Sequence, residues 1–210
     1  MVRVLLVDDH PVVRKGMKAI LEDHLPAVSV EEAGDGDSAL ATLEAKQPFD
    51  AVVLDLSMPG RSGIDLLAEI KHRQPKLPVL IMSLHGEEQF AVRALRAGAS
   101  GYLTKAAAPD QLVAAVTKIM RGGRYVSEAL AERLAADVSG QNVAAPHERL
   151  SDREFDVMRG IASGKQVSEI AEEMHLSVKT VSTYRTRLLE KMGMTTNAEL
   201  TRYAIEQGLA

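Results

Sequence analysis

The sequence predicts a doubly wound α/β domain with a parallel sheet, followed by a smaller helical domain. Three observations support this prediction. Strand-like and helix-like segments alternate over the first 121 residues, and a capping-box pattern restarts helical order at Ser151. The length of 210 residues suits one domain of about 100–150 residues plus a smaller one.

Each of five short apolar runs in the first part of the chain is followed by a segment with helical periodicity. Such alternation with short loops predicts parallel strands whose carboxyl ends meet at one edge of the sheet. The predicted strands are Val2–Val7, Val28–Ala33, Ala51–Leu54, Pro78–Met82 and Gly101–Leu103. The predicted helices are Pro11–Asp23, Asp37–Ala45, Gly63–Arg73, Glu87–Ala97 and Pro109–Arg121.

The middle of the chain is interpreted as a connection between the two domains. Gly122-Gly123 ends the fifth helix, and Ser127–Val138 predicts a short amphipathic helix. Ser139–Arg149 shows no periodicity and predicts a flexible linker. The predicted organisation is therefore a first domain over residues 1–121, a linker over 122–147 and a second domain over 148–210.

The second domain shows the pattern of a helix-turn-helix. Ser151 and Glu154 form a capping box for a helix that extends to Ala162. A helix from Ser168 that includes Met174, the turn His175-Leu176-Ser177 and a longer helix over Val178–Met192 follow in order. On the longer helix, Val181, Tyr184, Leu188 and Met192 recur at helical spacing and are predicted to form its buried stripe.

Composition narrows the function classes. The chain has no cysteine, no N-terminal signal-peptide pattern and no apolar run long enough to span a membrane, so we expect a cytoplasmic protein. The net charge of −4 argues against a positive surface over the whole molecule. Contact with nucleic acid would therefore depend on a local basic patch.

Polar residues stand where the predicted strands end. Asp8 and Asp9 follow the first strand, Asp55 the third and Ser83 the fourth, while the fifth continues to Lys105. Parallel strands bring these ends to one edge, where three carboxylates would repel one another unless a cation were present. Oxygen ligands alone are suited to Mg²⁺. The alternative interpretation of Asp8-Asp9 is helix capping before Pro11.

This set of groups is suited to phosphoryl chemistry on an aspartate. A carboxylate can attack phosphorus, a metal ion can neutralise charge, and a lysine can pair with the phosphate. A nucleotide site would require a glycine-rich turn where the chain has Asp8-Asp9-His10-Pro11. Ser57 lies where an aspartyl-phosphate phosphatase of the haloacid dehalogenase type carries its second aspartate. We therefore expect that the protein is not an enzyme and that it accepts a phosphoryl group, with at most slow self-dephosphorylation.

These residues resemble those of a two-component receiver domain, which has a flavodoxin-like fold. The resemblance covers about residues 1–121 and rests on Asp8-Asp9, Asp55 with Met58-Pro59-Gly60, Ser83, Tyr102 and Lys105. It implies that Asp55 is the phospho-acceptor. It also implies that Mg²⁺ is held by Asp8, Asp9, Asp55 and the backbone carbonyl of Ser57.

The same resemblance implies the residues that respond to the phosphate. Ser83 and Lys105 would sense the phosphoryl group. Tyr102 would be the aromatic residue that moves inward when Ser83 shifts. The alternative for Tyr102 is an ordinary core tyrosine near the edge of the sheet.

The helix over Val178–Met192 carries a local basic face. Lys179, Arg185, Arg187 and Lys191 against Glu190 give the segment from Ser177 to Met192 a charge of +3. Such a face could contact DNA phosphates, with serine and threonine hydroxyls available to bases or backbone. The alternative is a solvated face of a helical bundle.

This second domain resembles the four-helix domain of LuxR/NarL/FixJ-type regulators. The resemblance covers residues 148–210 and rests on Leu150-Ser-Asp-Arg-Glu154, Ile170-Ala171, Leu176-Ser177, Lys179-Thr180-Val181, Arg187-Leu188 and Lys191-Met192. The run Val181–Arg185 is more similar to GacA/UvrY-type members. The implied DNA-binding residues are Lys179, Thr180, Ser182, Thr183, Arg185, Thr186 and Arg187. The family often pairs through its last helix, here about Asn197–Gln207.

Together the two resemblances imply a regulator that a histidine kinase phosphorylates on Asp55 and that then dimerises and binds double-stranded DNA. The sequence leaves two alternatives open. One is a regulator that does not depend on phosphorylation, and the other is a module whose output is a protein contact.

Overall fold

The structure is a computed structural model. It describes residues 2–45, 48–56, 58, 63–83, 87–128, 130–132 and 145–209. These residues form two compact units, one up to residue 132 and one from residue 145. Among the described residues, no helix is both long and apolar enough to cross a membrane.

The first unit is a five-stranded parallel sheet in the order β2-β1-β3-β4-β5. The strands are β1 Val2–Val7, β2 Val28–Ala33, β3 Ala51–Asp55, β4 Val79–Ser83 and β5 Gly101–Thr104. The helices are α1 Pro11–His24, α2 Gly36–Ala45, α3 Gly63–Arg73, α4 Glu87–Arg96 and α5 Pro109–Met120. The predicted doubly wound fold is confirmed.

Helices cover both faces of the sheet because the strand residues alternate between two cores. Leu5, Val52 and Ile81 belong to the core beneath α2, α3 and α4. Leu6 and Val53 belong to the core beneath α1 and α5. All five residues of β3 are buried, as expected for a central strand covered on both faces.

The three strands that lead to the predicted site end one residue later than the sequence indicated. Asp55, Ser83 and Thr104 are the last residues of β3, β4 and β5. The cause is strand pairing, since Asp55 lies opposite Met82 and Ser83 lies opposite Thr104 in the ladders. Asp55 and Ser83 are therefore held by the sheet itself, whereas Asp8 and Lys105 lie just beyond the ends of their strands.

The segment after α5 packs on the first unit. Tyr125 forms a parallel bridge with Gly101, its carbonyl accepts the Tyr102 N–H at 2.9 Å, and its N–H donates to Ser100 at 3.0 Å. Leu130 is buried in the same core as Tyr102. The sequence analysis predicted that both residues belong to the linker. An isolated bridge involves a single residue, so it produces no alternation of apolar and polar residues that would predict a strand.

The predicted helix Ser127–Val138 and the predicted linker Ser139–Arg149 lie partly outside the described residues. Residues 128 and 130–132 are helical. The end of the predicted linker is ordered as a 3-10 helix over Pro146–Arg149. His147 in this turn is buried, and its Nδ1 lies 2.7 Å from the Tyr203 hydroxyl.

The second unit contains the predicted helix-turn-helix. Its helices are α6 Asp152–Ala162, α7 Val167–Glu173, α8 Val178–Met192 and α9 Asn197–Glu206. Ser177 is the N-cap of α8 and its hydroxyl accepts the Thr180 N–H. His175 adopts the left-handed conformation (φ 53°) that reverses the chain between α7 and α8.

The buried stripe of α8 differs from the prediction at one position. Val181, Leu188 and Met192 are buried as expected, but Tyr184 is only half-buried and Leu189 is buried instead. The reason is that α8 packs against both α6 and α7, which widens the covered face. The spacing of apolar residues predicts one buried face of a helix but does not show how many other helices pack against it.

Candidate functional site

A lysine lies between two buried carboxylates at the carboxyl edge of the sheet. Lys105 Nζ donates a hydrogen bond to Asp55 Oδ2 at 2.7 Å and lies 2.6 Å from Asp8 Oδ2. Asp8 and Asp55 are almost fully buried, and the Lys105 side chain is only 6% exposed. The three groups come from the residue after β1, the end of β3 and the turn after β5, so the parallel topology brings them together as predicted.

The carboxylates keep Lys105 charged. Burial alone would lower the pKa of Lys105, but its hydrogen bonds to Asp55 and Asp8 outweigh burial and raise that pKa. The ammonium group therefore persists at neutral pH and compensates part of the negative charge of the site.

Asp9 and His10 complete the rim of this site. His10 Nδ1 lies 2.8 Å from Asp9 Oδ1 and 3.3 Å from Asp8 Oδ1. One ligand atom from each of Asp8, Asp9, His10 and Asp55 lies within 4.8 Å of the others. Asp8 Oδ2 beside Lys105 and Asp9 Oδ1 beside His10 are both buried, and such a cluster of carboxylate oxygens fits a cation held at this edge.

Helix capping explains only part of the Asp8-Asp9 pair. The N-cap of α1 is His10, which makes no side-chain capping bond, and Pro11 starts the helix. Asp8 Oδ1 accepts the His10 N–H at 2.8 Å, so Asp8 does order the start of the helix. Its second oxygen, which faces Lys105, remains directed at the site.

Arg14 positions the acidic loop, and sequence reasoning missed it. Its guanidinium Nη1 donates to the Asp8 carbonyl, and Nε donates to Glu32 Oε2 at 3.3 Å. Arg14 thereby joins α1 to the ends of β1 and β2. The sequence offered no signal for this role, since Glu32 is distant in the chain.

Ser83 and Tyr102 lie on the neighbouring strands β4 and β5, Ser83 at the carboxyl edge and Tyr102 within the core. Ser83 is fully buried at the end of β4, and its carbonyl accepts the Lys105 N–H at 2.8 Å. Tyr102 is 1% exposed and packs in the core with Leu130. Ser57, whose carbonyl the resemblance assigned to the metal, lies outside the described residues.

The predicted DNA-binding residues of α8 fall into two groups. Lys179, Ser182, Thr183, Thr186 and Arg187 are exposed. Thr180 and Arg185 are partly buried and have partners within the unit: the Thr180 hydroxyl lies 2.7 Å from Ser177 Oγ, and Arg185 Nε donates to Asn197 Oδ1 at 2.7 Å. The exposed group therefore provides the face that DNA could reach.

Glu154 is a second positioning residue whose structural role was only half predicted. Its carboxylate accepts the Ser151 N–H at 2.7 Å as the capping box requires, and it also accepts a hydrogen bond from Lys191 Nζ at 2.6 Å. Burial would raise the pKa of Glu154, but the bonds from Lys191 and Ser151 outweigh it and lower the pKa. The ion pair ties the start of α6 to the end of α8.

Replacing Glu154 by Gln should reduce the stability of the second unit by about 1.5 kcal/mol at pH 7, because the charged hydrogen bond to Lys191 is lost. A depressed pKa contributes stability above the ordinary glutamate value of 4.5 that is lost as pH falls through the lowered pKa. The difference between E154Q and wild type should therefore shrink as the pH is lowered below 4.5. Urea unfolding of the full-length protein, followed by NMR over a series of pH values from 7 downward, measures this difference.

Glu199→Gln is the matched control for this prediction. Glu199 occupies the same position in the capping box of α9 but makes no ion pair that joins α9 to another helix among the described residues. A smaller loss is expected there. Equal losses for the two variants would show that the pair with Lys191 contributes nothing.

The two units match two known families. The response regulator receiver domain matches residues 4–117, and the luxR family of bacterial regulatory proteins matches residues 148–204. The fold and the acidic edge thus define a receiver domain joined to a helix-turn-helix domain. The chain belongs to the two-component response regulators with a LuxR-type DNA-binding domain, which are transcription regulators.

Relatives of this chain include UvrY and GacA, the type of regulator that the sequence of α8 resembles. Response regulator UvrY of Escherichia coli O6:H1 is 37% identical over 210 residues, which cover 100% of this chain and 96% of UvrY. Response regulator GacA of Pseudomonas aeruginosa is 35% identical over 210 residues, covering 100% and 98%. Both confirm the predicted GacA/UvrY-like character.

A solved structure also matches both units. RcsB from Salmonella enterica serovar Typhimurium, bound to promoter rprA in the presence of the phosphomimetic BeF3-, is 27% identical with a TM-score of 0.69. The match covers 96% of this chain and 97% of that one.

Proposed function

We propose that this response regulator is switched by phosphorylation of Asp55, which a histidine kinase supplies and which controls dimerisation and DNA binding by α8. The observation that carries the proposal is the arrangement of Lys105 between the buried carboxylates of Asp8 and Asp55. A structural ion pair alone would require one carboxylate. The second, together with Asp9, makes a site with an excess of negative charge that suits a metal ion and a phosphoryl group.

The transfer converts the Asp55 carboxylate into an acyl phosphate. A carboxylate oxygen of Asp55 attacks the phosphorus of a phosphohistidine, and a new P–O bond forms as the P–N bond breaks. The electron pair of the broken bond remains on the imidazole nitrogen of the kinase. Lys105, which already lies beside Asp55, would pair with a phosphoryl oxygen as the negative charge arrives.

Asp8, Asp9 and Asp55 are the residues that would hold Mg²⁺, together with the Ser57 carbonyl implied by the resemblance. When bound, the ion supplies positive charge against the carboxylate and the incoming phosphoryl oxygens. The excess of three clustered carboxylates over the single ammonium of Lys105 supports this assignment.

The signal would leave the site through β4 and β5. Ser83 is joined by its carbonyl to the Lys105 backbone, so a movement of Lys105 toward a phosphate displaces both. Tyr102 lies on β5 three residues before Lys105, and its backbone N–H donates to the carbonyl of Tyr125, which leads into the connection to the second unit. Ser83, Lys105 and Tyr102 would thus form the switch.

The output would be DNA binding by a symmetric dimer in the cytoplasm. The exposed face of α8 would enter the major groove, and two copies would occupy two half-sites. The RcsB complex with promoter rprA and BeF3- supports this proposal by similarity. With Ser57 in place of a second aspartate, the phosphoryl group would be lost slowly and no external substrate turned over.

Beryllofluoride with Mg²⁺ tests the proposal, because it imitates a phosphoryl group on Asp55. We expect wild type to dimerise in sedimentation experiments and to bind DNA about tenfold more tightly, a size usual for allosteric coupling. D55N should show neither response. DNA affinity should fall as salt is raised.

The alternatives predict different results. Full DNA affinity and dimerisation that do not change with beryllofluoride or in D55N would indicate a regulator independent of phosphorylation. A phosphodonor response without salt-dependent DNA binding would indicate a module for protein contacts.

A further inference from the structure

Val178 is a large apolar side chain exposed at the start of α8. Among the described residues, three large apolar side chains are strongly exposed, and they are Val12, Val178 and Ile205. Val178 is 52% exposed and follows the N-cap residue Ser177 directly. It does not belong to the buried stripe of α8, so core packing does not account for it.

The position of Val178 places it at the base-reading end of the helix. In helix-turn-helix docking, the N-terminal residues of the second helix contact base edges in the major groove. Lys179 is its exposed neighbour, and Ser182 lies one turn further along on the same side of the helix. Val178 is thus an apolar group next to a basic and hydroxyl-bearing surface.

The major groove contains one apolar group that complements such a residue. Thymine presents its C5-methyl group there, while the other base edges present hydrogen-bond donors and acceptors. A valine cannot satisfy those polar edges and would leave them unpaired. It gains free energy when it is buried against a methyl group.

We infer that Val178 is a specificity-determining residue that contacts a thymine methyl group in each DNA half-site. This inference rests on the proposed DNA-binding function and adds a base preference to it. The polar residues of α8 would set affinity through phosphates and polar base edges. Val178 would favour an A·T pair at the position it faces.

Thymine-to-deoxyuracil replacement tests this contact, because it removes the methyl group and leaves base pairing intact. A duplex that full-length wild type binds is first selected from a random pool in the presence of beryllofluoride and Mg²⁺. Each thymine is then replaced singly, and affinities are measured for wild type, V178A and V12A. Val12 is the matched control, since it is an 83% exposed valine on α1.

We expect one replacement in each half-site to weaken wild-type binding about fourfold, the effect of one buried methyl group. V178A should bind the original duplex with a similar loss and show no further loss at that position. V12A should behave as wild type. A V178A protein that keeps the same sensitivity to every replacement overturns the contact and leaves the DNA-binding function intact. If wild type selects no duplex from the pool, both the Val178 contact and the proposed DNA-binding function are overturned.

Discussion

The Lys105→Met variant should lose about 3 kcal/mol of receiver-domain stability in the presence of a chelator. Lys105 is the cation between Asp8 and Asp55, and both carboxylates are almost fully buried. Removing one partner of a buried ion pair leaves uncompensated charge, which typically costs about 3–5 kcal/mol. Urea unfolding of the full-length protein, with receiver signals followed by NMR, measures the loss.

Two further measurements separate charge compensation from packing. Adding D55N to the K105M variant should recover part of the loss, because one of the facing carboxylates is removed. Millimolar Mg²⁺ should also recover stability in K105M if the carboxylates bind it in the folded state. Lys15→Met is the control, since Lys15 is exposed on α1. Equal stability of K105M and wild type in chelator would contradict the compensating role.

The Gly63→Ala variant should also lose about 3 kcal/mol, for a steric reason. A Cβ at position 63 would lie 2.5 Å from the Leu56 Cα and 2.9 Å from the Asp55 carbonyl oxygen. These are backbone atoms at the end of β3, so they cannot move without moving the phospho-acceptor. Overpacking of this kind costs about 1–3 kcal/mol and occasionally more. The same urea unfolding experiment gives the value.

Gly16→Ala is the matched control for Gly63→Ala. Gly16 lies inside α1, and a Cβ there would meet no heavy atom within 4 Å. The substitution should therefore stabilise the domain by about 0.5–1 kcal/mol through helix propensity. A G63A protein as stable as wild type would show that α3 can move away from the end of β3 at little cost.

Local sequence patterns were sufficient for the fold and for most of the candidate site. The apolar runs that end in Asp8, Asp55 and Lys105 predicted a parallel sheet with one acidic edge, because strand direction brings the carboxyl ends together. The order of secondary structure in the second unit followed from capping and periodicity, as at Ser151 and Ser177. Each of these signals depends on residues close together in the chain.

Contacts between distant segments were not predictable in this way. Leu189 is buried and Tyr184 is only half-buried, the reverse of the prediction, because two helices pack against α8. The spacing of apolar residues along the sequence does not contain this information. Arg14, Tyr125 and Lys191 acquired their partners from other elements. In each case the partner belongs to another segment of the chain, so the contact forms only when the two segments pack together.

The sequence by itself therefore determined which chemical groups reach the carboxyl edge of the sheet and which helix carries the basic face. Only the tertiary structure decided their pairing, with Lys105 held between Asp8 and Asp55, and Arg185 hydrogen-bonded to Asn197 of α9. The physical reason is that strand order and helix periodicity are local properties. Distances of a few ångströms between side chains depend on how whole elements pack against each other.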